Sequence, residues 1–230
     1  INVVKNNVET ESISDLDETD ANSDKQVSGG TGVGISMAPV VYNGKVIIGI
    51  TGVGYGLHVE EEGSNTPLGA VVGVSGKYGR SGFLAAYDIH SGQQIWQFNT
   101  ILKSGWEGNF NNFIEDGLTL NRDIYHEKAT LEKYPNAAEF GGGSAWTTPA
   151  IDKETNTLFF GTGNPSPQMS AETRPGDNLY TVSIVALDAE TGKLKWYYQQ
   201  VPHDIWGYDV ASPPVLFYAY HDGQVIPAVA

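Results

Sequence analysis

Short apolar runs alternate with polar turns along most of the chain, and the pattern repeats. The stretch Ala86-Tyr-Asp-Ile-His-Ser-Gly-Gln-Gln-Ile-Trp96 recurs as Ala186-Leu-Asp-Ala-Glu-Thr-Gly-Lys-Leu-Lys-Trp196, with Ala, Asp, Gly and Trp in identical register. Each copy predicts an apolar strand (83–87 and 184–187), a tight Asp-x-x-Ser/Thr-Gly turn and a second strand ending on a tryptophan. The aspartate side chain accepts from backbone N–H groups two or three residues on, and Gly92 and Gly192 supply the positive φ that closes the turn. Trp96 and Trp196 are then free to bury against a neighbouring unit.

A second hairpin precedes each of these. Ala38-Pro-Val-Val-Tyr-Asn-Gly-Lys-Val-Ile-Ile-Gly49 and Thr148-Pro-Ala-Ile-Asp-Lys-Glu-Thr-Asn-Thr-Leu-Phe-Phe-Gly161 both read as strand, polar turn, strand. A third copy starts at Ser212-Pro-Pro-Val-Leu-Phe and turns through His221-Asp-Gly-Gln224. Two hairpins make four strands, so the prediction is an all-β fold: a β-propeller of four-stranded antiparallel blades with tryptophan docking motifs. About two and a half blades are present, and propellers close with roughly four to eight, so the chain is expected to be part of a longer protein.

Composition fits a turn-rich β protein, with 40% hydrophobic residues, 28 glycines and 11 prolines. Thirteen basic against 27 acidic residues give a net charge of −14, which argues against nucleic acid and anionic membranes as partners. Without cysteine there is no disulfide framework and no thiolate chemistry. No apolar run approaches the ~18 residues of a transmembrane helix.

Residues 1–35 carry seven acidic and two basic residues among Ser, Asn, Thr and Gly, and read as a loosely ordered linker. Residues 36–230 form the partial propeller, with one blade at about 36–99, an insertion at 100–140, a second blade at about 141–199 and part of a third at about 210–230. The first blade is stretched by a loop over 52–65 ahead of a strand at 70–74, and the second by a Pro- and Gly-rich loop over 164–178. Short helices are expected around 112–120 and 129–133.

Four motifs appear in order: Gly141-Gly-Gly-Ser-Ala-Trp146, Gly161-Thr-Gly-Asn-Pro-Ser-Pro167, Arg174-Pro-Gly-Asp-Asn178 and His203-Asp-Ile-Trp-Gly-Tyr-Asp209. Together with the tryptophan repeats they resemble the pyrroloquinoline quinone (PQQ)-dependent alcohol dehydrogenases over roughly residues 36–230. The resemblance implies an eight-bladed propeller with the quinone at one end of the central channel. It further implies oxidation of an alcohol, aldehyde or sugar outside the cytoplasm, in the periplasm, with electrons passed to a cytochrome or membrane quinone.

In that family the tryptophan after the triple glycine lies beneath the quinone, and Trp146 matches it. A planar cofactor gains from an indole face, and glycine lets backbone approach a flat ligand, although a core tryptophan is the plainer reading. The resemblance also makes Asn164 an oxygen ligand to a calcium or lanthanide ion. An amide oxygen is a suitable hard donor, and a turn asparagine ahead of Pro165 is the competing reading.

The chain departs from the family pattern twice. Where members carry an aspartate base between Trp and Tyr, this sequence reads Trp206-Gly207-Tyr208. Asp209 matches the additional metal-binding aspartate of lanthanide-using members and is the candidate for both ligand and base; on a strand it faces the same way as position 207. In Gly73-Val-Ser-Gly-Lys-Tyr-Gly79, Lys77 or Tyr78 stands where a metal-binding glutamate is usual. Ser75, Gly76 and Lys77 are then candidate quinone contacts, the lysine stabilising a reduced quinone's negative charge. Glu60, Glu61 and Glu62 are possible substitute carboxylates, though a triple acidic run usually marks a solvated loop.

Two functions follow. One is a quinoprotein dehydrogenase with Asp209 as base. The other is a propeller that kept the fold, lost the cofactor and serves as a protein-binding scaffold, as the loss of two carboxylates would suggest. Glycine-rich stretches at 30–34 and 52–56 lack the strand–helix context of a phosphate loop, and the histidines show no metal-ligand spacing. His203-Asp204 reads as structural rather than as an acid–base pair.

Overall fold

A computed structural model describes residues 25–29, 34–51, 57–61, 81–114, 117–167 and 171–230. In chain order its strands are β1 (Lys25–Gly29), β2 (Val40–Tyr42), β3 (Lys45–Ile50), β4 (Leu57–Glu61), β5 (Phe83–Asp88) and β6 (Gln94–Asn99). They continue as β7 (Ala150–Asp152), β8 (Thr157–Gly161), β9 (Ser183–Asp188), β10 (Leu194–Gln199), β11 (Leu216–His221) and β12 (Gln224–Val229). The orders β2-β3-β5-β6 and β7-β8-β9-β10 are two antiparallel four-stranded sheets, and β11-β12 is the opening hairpin of a third. This is the predicted partial propeller, with two whole blades and a half.

Both tryptophan hairpins form through the chemistry read from sequence. Asp88 Oδ1 accepts from the N–H groups of His90 and Ser91 at 3.1 and 2.7 Å. Asp188 Oδ1 does the same with Glu190 and Thr191 at 3.1 and 2.8 Å, and Gly92 and Gly192 take φ values of 70° and 69°. The Ser91 N–H and hydroxyl hold the Asp88 carboxyl below its ordinary range, as the Thr191 hydroxyl and N–H do for Asp188. The second strands run past the tryptophans, to Asn99 and Gln199.

Trp96 joins the blades. Its Nε1 donates to the Ala189 carbonyl at 3.3 Å, and its ring fills the space where a Cβ on Gly192 would stand, 2.6 Å away. The docking is the tryptophan motif at work: the glycine that turns one hairpin is the seat for the other's indole. Lys45 pairs with Glu190 at 2.7 Å and Tyr42 Oη donates to Asn156 at 3.0 Å along the same seam. Ile47, Leu84 and Ala86 of the first blade pack with Leu158, Phe160, Val185 and Leu187 of the second in one apolar core.

Several details depart from expectation. Within the segment expected to be a loose linker, Lys25–Gly29 form β1 and pair with β4, which itself lies in the stretch read as a loop. The strand expected at 70–74 lies outside the described residues. Among the described residues of 112–120 no helix forms: Phe113 bridges Thr119, Ile114 N–H donates to the Leu118 carbonyl, and Gly117 stands at φ +78°. The helix expected at 129–133 starts earlier, as α1 (Ile124–Thr130), because Asp123 caps it by accepting from the His126 N–H at 2.9 Å; Leu131–Lys133 follow as a 3₁₀ turn.

Candidate functional site

The triple-glycine and Gly-x-Gly-Asn-Pro motifs meet as neighbours. Gly143 N–H donates to the Asn164 carbonyl and Gly163 N–H to the Ser144 carbonyl, both at 2.9 Å, and Ser166 N–H reaches the Gly141 carbonyl at 3.1 Å. None of the three glycines has room for a side chain. A Cβ on Gly142 would sit 2.7 Å from the Asn164 carbonyl oxygen, and one on Gly141 or Gly143 would strike Ile101 at 2.9 Å. The glycines let three chain segments approach one another.

Trp146 lies three residues after the last of these glycines and is only partly buried, yet its Nε1 is buried with no acceptor among the described residues. The neighbouring Thr147 Oγ1 is likewise buried and unpartnered. Native interiors rarely leave such groups unsatisfied, so two in succession point to a missing partner at this spot. Nothing in the sequence marked Thr147, whose role emerges only from its surroundings.

Asn164 is 5% exposed and donates Nδ2 to the Pro165 carbonyl at 2.7 Å, while no described residue donates to its Oδ1. Its backbone N–H donates to Asp209 Oδ1. The two residues read from sequence as candidate oxygen donors are thus neighbours, 45 residues apart in the chain. They meet because Val210 N–H donates to the Thr162 carbonyl at 3.2 Å, laying the incoming segment along Gly161–Asn164. Gly161 allows this approach, since a Cβ there would stand 2.3 Å from the Val210 carbonyl oxygen.

Burial pushes the Asp209 carboxyl up to about 6; the Asn164 N–H opposes this, and the nearby Asp204 adds to it. No cation pairs with Asp209 among the described residues, and no cluster of three or more acidic or histidine side chains is placed to hold a metal ion there. Gly207 stands at φ +78° in the left-handed region, so the absent aspartate coincides with a backbone that favours glycine. Ser75, Gly76, Lys77 and Tyr78 lie outside the described residues, as does Glu62. Glu60 and Glu61 lie in β4 opposite Gln26 and Lys25.

Apart from Asp209, the residues of the other two motifs form structural supports. Arg174 is fully buried and donates Nε to Pro167, Nη1 to Asn178 Oδ1 and Nη2 to the Asp204 carbonyl, at 2.9, 2.6 and 2.6 Å. Asp204 accepts from Trp206 and Tyr208 N–H at 3.0 and 2.9 Å, so its carboxylate shapes the turn that leads to Asp209. His203-Asp204 is therefore no acid–base pair.

Blades locked by a docked tryptophan, with a half-buried indole and two oxygen donors gathered on one seam, define a β-propeller of the quinoprotein kind. The chain belongs to the PQQ-dependent dehydrogenase family: residues 13–230 match the family described as "PQQ: Glucose/ethanol/alcohol dehydrogenase, beta-propeller domain". It is 31% identical to quinoprotein alcohol dehydrogenase PedH of Pseudomonas putida over 86% of this chain and 29% of that protein. It is 33% identical to methanol dehydrogenase [cytochrome c] subunit 1 of Methylobacterium organophilum over 81% of this chain and 25% of that one. The crystal structure of quinohemoprotein alcohol dehydrogenase from Comamonas testosteroni superposes with a TM-score of 0.57 at 29% identity, over 86% of this chain and 25% of that chain. The chain thus spans between about a quarter and under a third of the length of these relatives.

Proposed function

We propose that the protein is a PQQ-dependent dehydrogenase that oxidises an alcohol, aldehyde or sugar outside the cytoplasm, in the periplasm. The observation that carries this reading is the meeting of Asn164 and Asp209 beside the Gly143–Ser144 segment that leads to Trp146, whose buried N–H has no acceptor among the described residues. The donor set fits the group. Asn164 Oδ1 and the second oxygen of Asp209 are hard donors suited to a calcium or lanthanide ion, and Trp146 offers an indole face to a planar ring. Such an ion takes roughly six to eight oxygens, so further ligands come from the quinone and from residues beyond this pair.

A quinone held against Trp146 would supply the hydride acceptor, and an ion held by Asn164 and Asp209 would supply a Lewis acid. Asp209 is the carboxylate that takes the hydroxyl proton in place of the residue missing at 207. Burial makes this carboxyl more basic than an exposed aspartate, which suits it to accept a proton, although a bound ion would pull it back down. Electrons then pass to a cytochrome or a membrane quinone. The methanol dehydrogenase relative is named for cytochrome c, which supports the first. No helix among the described residues is long and apolar enough to cross a membrane.

Gly207 supports a second reading, in which the fold persists as a non-catalytic protein-binding scaffold. Titration with PQQ and Ca²⁺ or La³⁺, followed by tryptophan fluorescence and by alcohol-dependent dye reduction, separates the two. Saturable quenching with dye reduction is expected. Quenching without turnover would mean that Asp209 does not replace the lost base, and absence of binding with either ion would favour the scaffold.

A further inference from the structure

The insertion between the blades reaches the segment that carries Asp209 through a continuous set of hydrogen bonds. Glu127, on α1, accepts Nε and Nη2 of Arg122 at 2.9 and 2.7 Å and the Gly176 N–H at 2.9 Å. Arg122 also donates Nη1 to Asp177 at 2.6 Å, and Asp177 accepts from the N–H groups of Asn109 and Asn111 at 2.9 Å. The insertion and the loop after β8 are thereby clamped together.

Gly176 passes this order on. Its carbonyl accepts from His203 Nδ1 at 2.7 Å, and His203 N–H donates to the Asp177 carbonyl at 3.1 Å. A carbonyl only accepts, so Nδ1 carries the hydrogen. Burial holds the ring neutral, down to about 4, against the pull of Glu127 3.4 Å away. His203 stands at φ +54°, a conformation that costs a non-glycine residue ~1 kcal/mol or more and persists where its surroundings over-determine it. Directly after it, Asp204 shapes the turn to Tyr208 and Asp209 meets Asn164.

We propose that Glu127 is a positioning residue for Asp209. It fixes the Gly176 peptide, through that peptide the left-handed turn at His203, and through the turn the register in which residues 204–209 lie along Gly161–Asn164. The proposal rests on the reading of Asp209 as a working carboxylate, but the linkage itself concerns backbone order and is measured without activity.

Amide hydrogen exchange of the protein provides the test. In Glu127→Ala, segments covering 203–209 should exchange roughly tenfold or more faster while β9 keeps its protection. Glu127→Gln keeps an oxygen for the Gly176 N–H and should restore most of the protection. If Glu127→Ala does not fold, Glu127→Asp serves instead: it keeps the charge for Arg122 but withdraws from Gly176, and should loosen 203–209 alone. Unchanged exchange at 203–209, or acceleration no greater than in β9, overturns the proposal. Terbium titration adds a second arm, with affinity expected to fall about 10–100-fold in Glu127→Ala and to recover in Glu127→Gln. Loosened exchange with unchanged terbium affinity also overturns it. A wild-type protein that binds no terbium contradicts the functional reading instead, and exchange alone then decides this one.

Discussion

Two polar centres flank the second blade and are built to opposite rules. Around Arg174, Asp204, Arg122, Glu127 and Asp177, charges are paired or hydrogen-bonded to backbone and amide groups. Around Trp146, Thr147, Asn164 and Asp209, an indole N–H, a hydroxyl and an amide oxygen lack partners among the described residues, and a carboxyl is raised to about 6. Satisfied buried charge holds a shape; unsatisfied polar groups on a seam await something else. The two would be hard to tell apart from residue type alone, since both are rich in Asp, Asn and glycine.

The largest contrast should come from removing one member of each. Arg174→Ala leaves three buried acceptors without their donor and is expected to cost about 3–5 kcal/mol in denaturant unfolding. Asp209→Asn should do the reverse at neutral pH, raising stability by about 1–2 kcal/mol because a penalised charge disappears, while abolishing the response to Ca²⁺ or La³⁺. A destabilised Asp209→Asn protein would break the comparison.

Acid should separate the centres next. His203 is depressed to about 4 from 6.5, so the unfolded chain binds a proton that the native one refuses between those values, and stability falls as pH drops through that window. Asp209 is raised from 3.8 to about 6, so over that range the native state binds more protons, and its contribution to stability is lost as pH rises. Urea unfolding across pH 4–7 should therefore show a shallower slope on the acid side in His203→Gln and a steeper one in Asp209→Asn. The smallest effect belongs to Trp146→Phe, which removes an unpartnered N–H and should shift stability by less than ~1 kcal/mol, while removing most of the quinone-dependent quenching. Full quenching in that variant would place the quinone elsewhere.

The turns, strands and blades were legible because their determinants are local: an aspartate three residues ahead of its N–H partner, a glycine at positive φ, a tryptophan at fixed offset. The seat of Trp96 on Gly192 was not, because the contact joins hairpins from two blades. Asp209 and Asn164 were picked out through resemblance, and geometry then joined them. Asp177 and His203 stood in the quoted motifs, but their link to Arg122 and Glu127 carried no sequence signal, because the partners come from an insertion far away in the chain. The helix expected at 112–120 gives way to a bridge between Phe113 and Thr119, and the start of α1 was missed because Asp123 was not weighed as a cap.

Gly207 carries a consequence for where a carboxylate can stand at this site. Its backbone at φ +78° suits glycine, and any other residue there is strained by ~1 kcal/mol, aspartate somewhat less than most. A side chain placed at 207 would strain the turn that Asp204 holds through the Trp206 and Tyr208 N–H groups, whereas Asp209 already sets a carboxylate beside Asn164 without that cost.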